Sequence, residues 1–385
     1  MMSHQLHTAI VGGGVAGLAM ANALAARGIS STVFERTSSP GEIDRGDVIH
    51  HSILEIFKTW GAYELLKKYN PLEFSRFFVL NHKGSRVFSF DLSRDFDPPA
   101  SFTVLRHPEI QRMLEEAATK SGLVEVEHNN PCVELLQERG RVVGIRTVRG
   151  RVDAKFTVIA NGARSSLRDK YFSDRDYHRY PVSFYNCRFN RVSEFNDAGY
   201  YILGKNGVMI AAPLPNNETR IGIQEYDANA GERLSPKNII RVISQRLQTL
   251  SAKSLEFIDA HRYPLSKSLS RSFWIPGAAL IGDAAHTTHP AGGQGMNLAF
   301  QDAEVLAQAL ARTDASDWAV DKACEAYSQR RHSEVKKVLI RTHFMGLMST
   351  IESPLFNCSR EVLLRLANKS VPLKRVVFRR IVDVR

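Results

Sequence analysis

The sequence predicts an α/β protein with a Rossmann-type dinucleotide-binding domain assembled from separated segments, an inserted antiparallel β-sheet and C-terminal helices. Three observations carry this reading. The chain opens on a strand, a glycine turn and a helix; a second strand, glycine-rich turn and helix begins at Ala278; and a block of alternating apolar and polar residues lies between them. With 385 residues there is material for two or three lobes. Hydrophobic residues at 43% against charged residues at 24% describe a folded globular chain, which excludes disorder as the main state.

Thr8 to Val11 is a β-type run, and Gly12, Gly14 and Gly17 then spell G-x-G-x-x-G at the head of an Ala/Leu-rich helical pattern that ends near Arg27. A second strand, Thr32 to Phe34, closes on Glu35, which stands 21 residues after Gly14 with Arg36 beside it. A ribose-binding acid is expected about 20 residues on. The three glycines contribute differently, since Gly12 permits the turn, Gly14 admits a pyrophosphate to the backbone, and Gly17 lets helix and strand pack closely. The helix N-terminus favours the ligand's negative charge. By itself this unit serves NAD and FAD alike.

Between residues 176 and 268 the texture changes. Val182–Phe189, Gly199–Leu203, Val208–Ala212, Arg220–Gln224 and Ala260–Tyr263 alternate like antiparallel strands, with Asn216-Asn217 as a turn and a helix around Pro236 to Leu250. Phe184, Tyr201, Met209 and Ile223 are the candidate pocket residues on these strands, although alternation supplies core residues in the same way. Ala278 to Ile281 reads as a buried strand leading into Gly282-Asp283-Ala284-Ala285-His286 and His289-Pro290-Ala291-Gly292-Gly293-Gln294-Gly295-Met296-Asn297. Leu298, Ala299, Ala303, Leu306, Ala307 and Leu310 follow at helical spacing. A carboxylate at a strand's C-terminal end can hold a polyol hydroxyl, and a glycine-rich loop opening a helix presents free N–H groups to an oxyanion. His286 and His289 read as hydrogen-bonded structural residues.

Lys and Arg exceed Asp and Glu by 11, yet no homeodomain, finger or RNA-binding signature accompanies the surplus, so nucleic acid is not an expected partner. Cys132, Cys187, Cys324 and Cys358 stand far apart, which fits a reducing cytoplasmic setting and indicates neither a disulfide scaffold nor a metal site. No apolar run is long enough for a spanning helix. At the C-terminus Leu373, Val376, Val377, Ile381 and Val384 would share one helical face with Arg375 and Arg379 opposite, while Phe378 falls outside that stripe. Such a basic amphipathic end suits an anionic membrane, a greasy substrate, or docking on its own domain.

Together with the N-terminal fingerprint, GDAAHTTHPAGGQGMNLAFQDAEVLA, Gly282 to Ala307, closely resembles the flavin-ribityl motif of the FAD-dependent aromatic hydroxylases, the class A or p-hydroxybenzoate hydroxylase-like monooxygenases. The resemblance covers most of the chain, and the C-terminal stretch is similar to the ubiquinone-biosynthesis hydroxylase subgroup. It implies a GR2-like FAD-binding domain from 1–75, 100–172 and 270–350, a substrate-binding sheet from 76–99 and 176–268, and a helical tail over 351–385. By the same resemblance, Asp283 contacts ribitol, and Gly292, Gly293, Gly295, Met296 and Asn297 lie along the isoalloxazine. Pro290, Gly292 and Gly295 then surround the flavin peroxide. Arg106, in LRHPEIQRMLEEAA, resembles the family arginine that contacts FAD at a helix start, and Arg45-Gly46 resembles an Arg-Gly pair beside the flavin. The segment after Phe156–Ala160 departs from the family's Asp-Gly-x-x-Ser-x-x-Arg, because Asn161 replaces the aspartate. Asn161 lacks the charge that would fix a basic partner or ribose hydroxyls, which bears on NADH or NADPH docking more than on FAD.

The activity implied is hydroxylation or epoxidation of an aromatic or quinone-like, hydrophobic ring through a flavin C4a-hydroperoxide, using O2 and NADH or NADPH, by a monomer or homodimer with peripheral membrane contact. Two other readings of the same residues are an FAD-dependent reductase of a hydrophobic substrate and a non-catalytic, redox-dependent flavoprotein binder.

Overall fold

The computed structural model describes residues 7–39, 48–172, 174–195, 197–203, 207–226, 234–351 and 353–381. Its first sheet has Thr8–Val11 at the centre, with Ser31–Phe34 and Val124–Glu127 on one side and Phe156–Ile159 and Ala278–Leu280 on the other, all parallel. Trp274–Ile275 adds an antiparallel edge. Every residue of TAIV, STVF and FTVI is buried. That pattern is required when helices cover both faces of a parallel sheet. Helix Val15–Ala25 packs against the helices Gly295–Leu310 and His107–Lys120, so it is buried nearly all round and is built of small and aliphatic residues. A three-stranded meander, Cys132–Glu138, Arg141–Thr147 and Gly150–Asp153, carries the chain back to Phe156.

The second sheet has eight strands in the order His286–Thr287, Phe257–Ser270, Arg175–Asn190, Glu218–Tyr226, Val208–Leu214, Ala198–Leu203, Arg76–Asn81 and Arg86–Asp91. It is antiparallel except where Ala198–Leu203 runs parallel to Arg76–Asn81. No hairpin has to join that pair, because the chain adds Val124–Glu127 and Phe156–Ile159 to the first sheet and builds the three-stranded meander between them. Its edge strand His286–Thr287 belongs to the second glycine-rich segment, so that segment is stitched directly to the sheet.

Cross-strand register divides the candidate pocket residues between two faces. Ile223 is paired with both Met209 and Tyr185, and this set packs with Cys187 and Ile221 under Ile239 and Ile243 of helix Pro236–Arg246. Phe184 and Tyr201 fall on the opposite face, in a cluster with Val182, Val208 and Leu265 that also takes in Ala291 of the glycine-rich loop. Met209 and Ile223 are therefore core residues facing away from that loop, a correction to the sequence reading. A shift of one residue in a strand of period two reverses the face, and alternation alone does not set that parity.

The C-terminal helices Pro354–Ala367 and Val371–Ile381 lean on the face that holds Phe184 and Tyr201. Phe378 is fully buried and stacks on Phe90, with ring centroids 4.1 Å apart, whereas Leu373 and Val376 are 45% and 50% exposed. The stripe read from the sequence thus points outward at these two positions, and Phe378, placed outside it, is the anchor. An aromatic pocket of Phe77, Phe90, Phe96 and Phe102 around Phe378 outweighs a periodicity count over one short helix.

Candidate active site

The first glycine turn is shaped by close approach. Gly12 has φ +108, and a Cβ there would lie 2.8 Å from the Ala160 carbonyl oxygen; a Cβ on Gly17 would lie 1.8 Å from the Gly12 carbonyl oxygen. Gly14 differs, since nothing stands within 4 Å of where its Cβ would be. It occupies the N-cap of Val15–Ala25 with no side-chain cap, leaving an open cradle at a helix N-terminus. The Glu35 carboxylate is held at this turn: Oε2 accepts from the Gly13 N–H at 2.6 Å, and Oε1 accepts from the Thr37 N–H and hydroxyl at 2.9 Å. Arg36 is exposed beside it, and Asn161, also exposed, follows the neighbouring strand with its backbone against Gly12. Arg106 is half-buried at the N-cap of His107–Lys120. Arg45 lies outside the described residues.

The second turn sits beside the first. Gly282, at φ +57, is wedged so that a Cβ would stand 2.8 Å from the Cβ of Ala16 and 3.2 Å from that of Ala299. Asp283 is half-buried, and its Oδ1 lies 4.0 Å from where a Gly295 Cβ would be. Pro290–Gly292 forms a short 3-10 turn, and Gly293, at φ +59, reverses the chain into helix Gly295–Leu310. No side chain caps that helix, so its first N–H groups face the open side of the turn. Gln294 is 1% exposed, and its Nε2 has no acceptor among the described residues. Met296 is half-buried against the core of the parallel sheet. The Asn297 amide is engaged in framing the loop: Oδ1 accepts from the His50 N–H at 3.0 Å, and Nδ2 donates to the carbonyls of Gly293 at 3.0 Å and Val48 at 3.2 Å.

Two buried charged residues that the sequence reading did not single out hold this turn in place. Asp302 accepts from the Gly282 N–H at 2.9 Å and from Arg331 Nε at 2.7 Å, and bonds His286 Nε2 at 2.6 Å. Burial pushes its carboxyl up, but His286 and Arg331 outweigh that and hold it below the usual carboxylate range. Arg168 donates to Ala284 O at 3.2 Å and Ala163 O at 3.1 Å, tying the segment after Asn161 to the second glycine turn. The signal for Arg168 was its Ser-x-x-Arg spacing, because Ser165 caps the helix by accepting the Arg168 N–H. Asp302, on an Ala/Leu-rich helix, carried only the weaker signal of a charge on an apolar stripe.

Neutral rings line the other side of the loop. Burial and, secondarily, His343 push His289 down to about 4; burial and Arg341 do the same to His50. His289 Nδ1 accepts from the Ala291 N–H at 3.2 Å, and its ring meets Tyr180 edge-on. The Tyr180 hydroxyl bonds His343 Nδ1 at 2.6 Å, and burial pushes its phenol up to about 12. Over the loop, the sheet offers Phe184 at 4% and Tyr201 at 7% exposure, with Phe184 lying across Gly222. Gln224 is paired in register with Phe184 and shares its face; it is 2% exposed, and its Oε1 has no donor among the described residues.

The FAD binding domain family model matches residues 5–342, which include both glycine turns and the sheet above them. The chain belongs to the FAD binding domain family. Ubiquinone hydroxylase UbiM of Neisseria meningitidis is 22% identical over 97% of this FAD-binding chain and 83% of its own length. The 3-demethoxyubiquinol 3-hydroxylase of Escherichia coli is 26% identical, covering 87% of each chain. Among solved structures, p-nitrophenol 4-monooxygenase PnpA from Pseudomonas putida superposes with a TM-score of 0.84 at 20% identity, over 98% of this chain and 99% of that one. The geometry fits FAD. There is an open anion cradle at Gly14, a carboxylate fixed at Glu35, a second carboxylate at Asp283 and an uncapped helix start beside a buried, unpartnered Gln294 amide.

Proposed function

We propose that this FAD-binding protein is a monooxygenase that hydroxylates or epoxidises an aromatic or quinone-like, hydrophobic ring, drawing electrons from NADH or NADPH and oxygen from O2. The observation that carries the reading is the position of the Gly282–Asn297 turn: it joins the parallel sheet to the second sheet, and Phe184 and Tyr201 lie in the same apolar cluster as its Ala291. The hydroxylase names of the ubiquinone-pathway relatives support it.

In this reading Gly12, Gly14, Gly17, Glu35, Arg36, Arg45, Arg106 and Asn161 hold the adenylate and pyrophosphate end of FAD. Asp283, Gly293, Gly295, Met296 and Asn297 hold the ribityl and ring end. When bound, FAD supplies two-electron redox chemistry and activation of O2, so that one oxygen atom enters the ring and the other leaves as water. The chain's own part is positional and electrostatic. The uncapped start of Gly295–Leu310 stabilises negative charge on the ring system, and loss of one such donor commonly costs about 3 kcal/mol. Pro290 and Gly292 keep the loop narrow, while Phe184 and Tyr201 exclude water. Burial pushes the Tyr201 phenol up, so that it stays protonated. Gln224 Oε1 accepts a hydrogen bond from a ring hydroxyl of the substrate. The FAD-holding part comprises 1–75, 100–172 and 270–350, the substrate part 76–99 and 176–268, and the tail 351–385; the protein works as a monomer or homodimer with peripheral membrane contact.

The test is anaerobic mixing of the purified protein with NADH or NADPH and a panel of phenols and prenylated quinols, followed by oxygen admission. The expected result is bleaching of the flavin accelerated by the true substrate, then oxygen uptake matched to hydroxylated product. A colourless protein that takes up no FAD, or reduction of substrate without oxygen incorporation, overturns the proposal.

A further inference from the structure

We propose that the outward faces of the last three helices form a docking surface for an anionic lipid bilayer. Sixteen large apolar side chains stand exposed among the described residues, and ten of them fall between residues 340 and 376. That concentration in about a tenth of the chain is not the scatter expected of a soluble surface.

The exposed side chains follow helical stripes. Ile340, Phe344 and Leu347 recur at spacings of four and three on the second half of Asp317–Thr350. Leu355, Val362, Leu363 and Leu366 mark the outer side of Pro354–Ala367, with Leu355 at 82% and Leu363 at 66% exposure. Val371, Leu373 and Val376 continue the surface on Val371–Ile381, which packs against both other helices. The inward stripes are separate: Leu364, Ala367, Val377 and Phe378 pack on the cluster that contains Tyr201. These helices are therefore apolar on two sides, whereas a helix that merely docks on its own domain has a polar outer face.

Charge decides what covers the outer side. Residues 340–381 carry eight Lys and Arg and two acidic residues, Glu352 and Glu361. The Glu361 carboxylate is taken by Asn81 Nδ2 at 3.1 Å. Arg365 and Lys369 are exposed among the leucines of the middle helix and its C-terminus, and exposed Lys336 and Lys337 precede Ile340. An isologous contact between two copies would bring these cations face to face with little acid to meet them. An interleaved basic and apolar surface suits anionic headgroups with acyl chains beneath. No helix of the described residues is long and apolar enough to cross a membrane, so the surface lies on the bilayer. The inference deepens the proposed action on a hydrophobic ring, because a lipid-dissolved substrate would be met at this face, but adsorption itself needs no substrate.

The test is co-sedimentation of the FAD-loaded protein with phosphatidylcholine vesicles carrying about one-third phosphatidylglycerol, against pure phosphatidylcholine, at low and high salt. Binding is expected to the anionic vesicles, roughly tenfold weaker to neutral ones and weaker in high salt. The pair Leu363→Glu and Leu366→Glu is expected to lower the partition coefficient at least roughly tenfold while flavin content and melting temperature stay at the parent's values. No adsorption at low salt, or adsorption unchanged by the pair, overturns the proposal. So does a parent dimer that the pair splits into monomers in sedimentation velocity while vesicles go unbound. Oxygen uptake with a water-soluble phenol separates the two readings: turnover without adsorption removes the docking surface and the membrane contact but leaves the monooxygenase standing, and adsorption without turnover removes only the monooxygenase.

Discussion

At the scale of single residues, the site depends on backbone that side chains would obstruct. Gly293 sits at φ +59, where a β-branched residue is strained, and Gly295 borders the open space beside Asp283. Gly293→Val and Gly295→Phe are expected to purify folded but with less than about a tenth of the parent's FAD, read from the visible-to-ultraviolet absorbance ratio. Full retention of flavin in both would show that the ring does not lie there. Gln224→Leu tests recognition of the ring: kcat/KM for a hydroxylated substrate should fall by roughly 10- to 100-fold, with FAD content unaltered. His289 tests electrostatics. It stays neutral down to about 4 in the fold and titrates near its ordinary 6.5 when unfolded. Between those values the unfolded state binds more protons, so stability is complete above the unfolded pKa and falls as pH drops toward 4. In His289→Asn the slope of unfolding free energy against pH in that window should be shallower by up to about 1.4 kcal/mol per pH unit, measured by urea denaturation.

Elements are joined here by buried charge and by one aromatic anchor. Asp302 links the Gly282 turn, His286 and Arg331, and so couples the strand Ala278–Leu280, the helix Gly295–Leu310 and the long helix. Removing one member strands the others, so Asp302→Ala is expected to lose about 3–5 kcal/mol in urea unfolding. The Asp302 contribution is present above the unfolded carboxyl pKa and disappears as pH falls through its lowered folded value. Phe378→Ala should release Val371–Ile381 from its pocket at a cost of about 3 kcal/mol, seen as faster hydrogen exchange in that helix with the parallel sheet unaffected. The failure of the apolar stripe read over 373–384 has the same origin as the misplacement of Met209 and Ile223. Pattern announces that a helix or strand has an apolar side, and the partner surface then chooses which residues meet it.

Across the whole molecule, the two glycine turns meet in the packed contact of Gly282 with Ala16 and Ala299, so binding of FAD by both turns, as proposed, would couple to global stability. Stripping FAD should lower the melting temperature, and each tenfold rise in free FAD above its dissociation constant should restore about 1.4 kcal/mol in calorimetry. An apoprotein as stable as the holoprotein would mean that the cofactor binds no element of the core. The positive surplus of 11 over the chain acts at this scale as well, giving long-range attraction to anionic surfaces that salt weakens.

The sequence alone determined the family, the parallel sheet and the glycine turns, because these rest on local chemistry: a φ only glycine adopts freely, a strand buried on both faces, a carboxylate at a fixed interval. Gly12, at φ +108, and Glu35, whose carboxylate accepts from the Gly13 N–H, are legible at the first turn for that reason. Tertiary structure decided the side of the second sheet that Phe184 and Tyr201 share with Gln224, the framing by Asp302, Arg331 and Arg168, and the outward turn of Leu373 and Val376. Each of these depends on register or on a partner tens to hundreds of residues away, and no local pattern contains the energy of such a contact until the chain has closed around it.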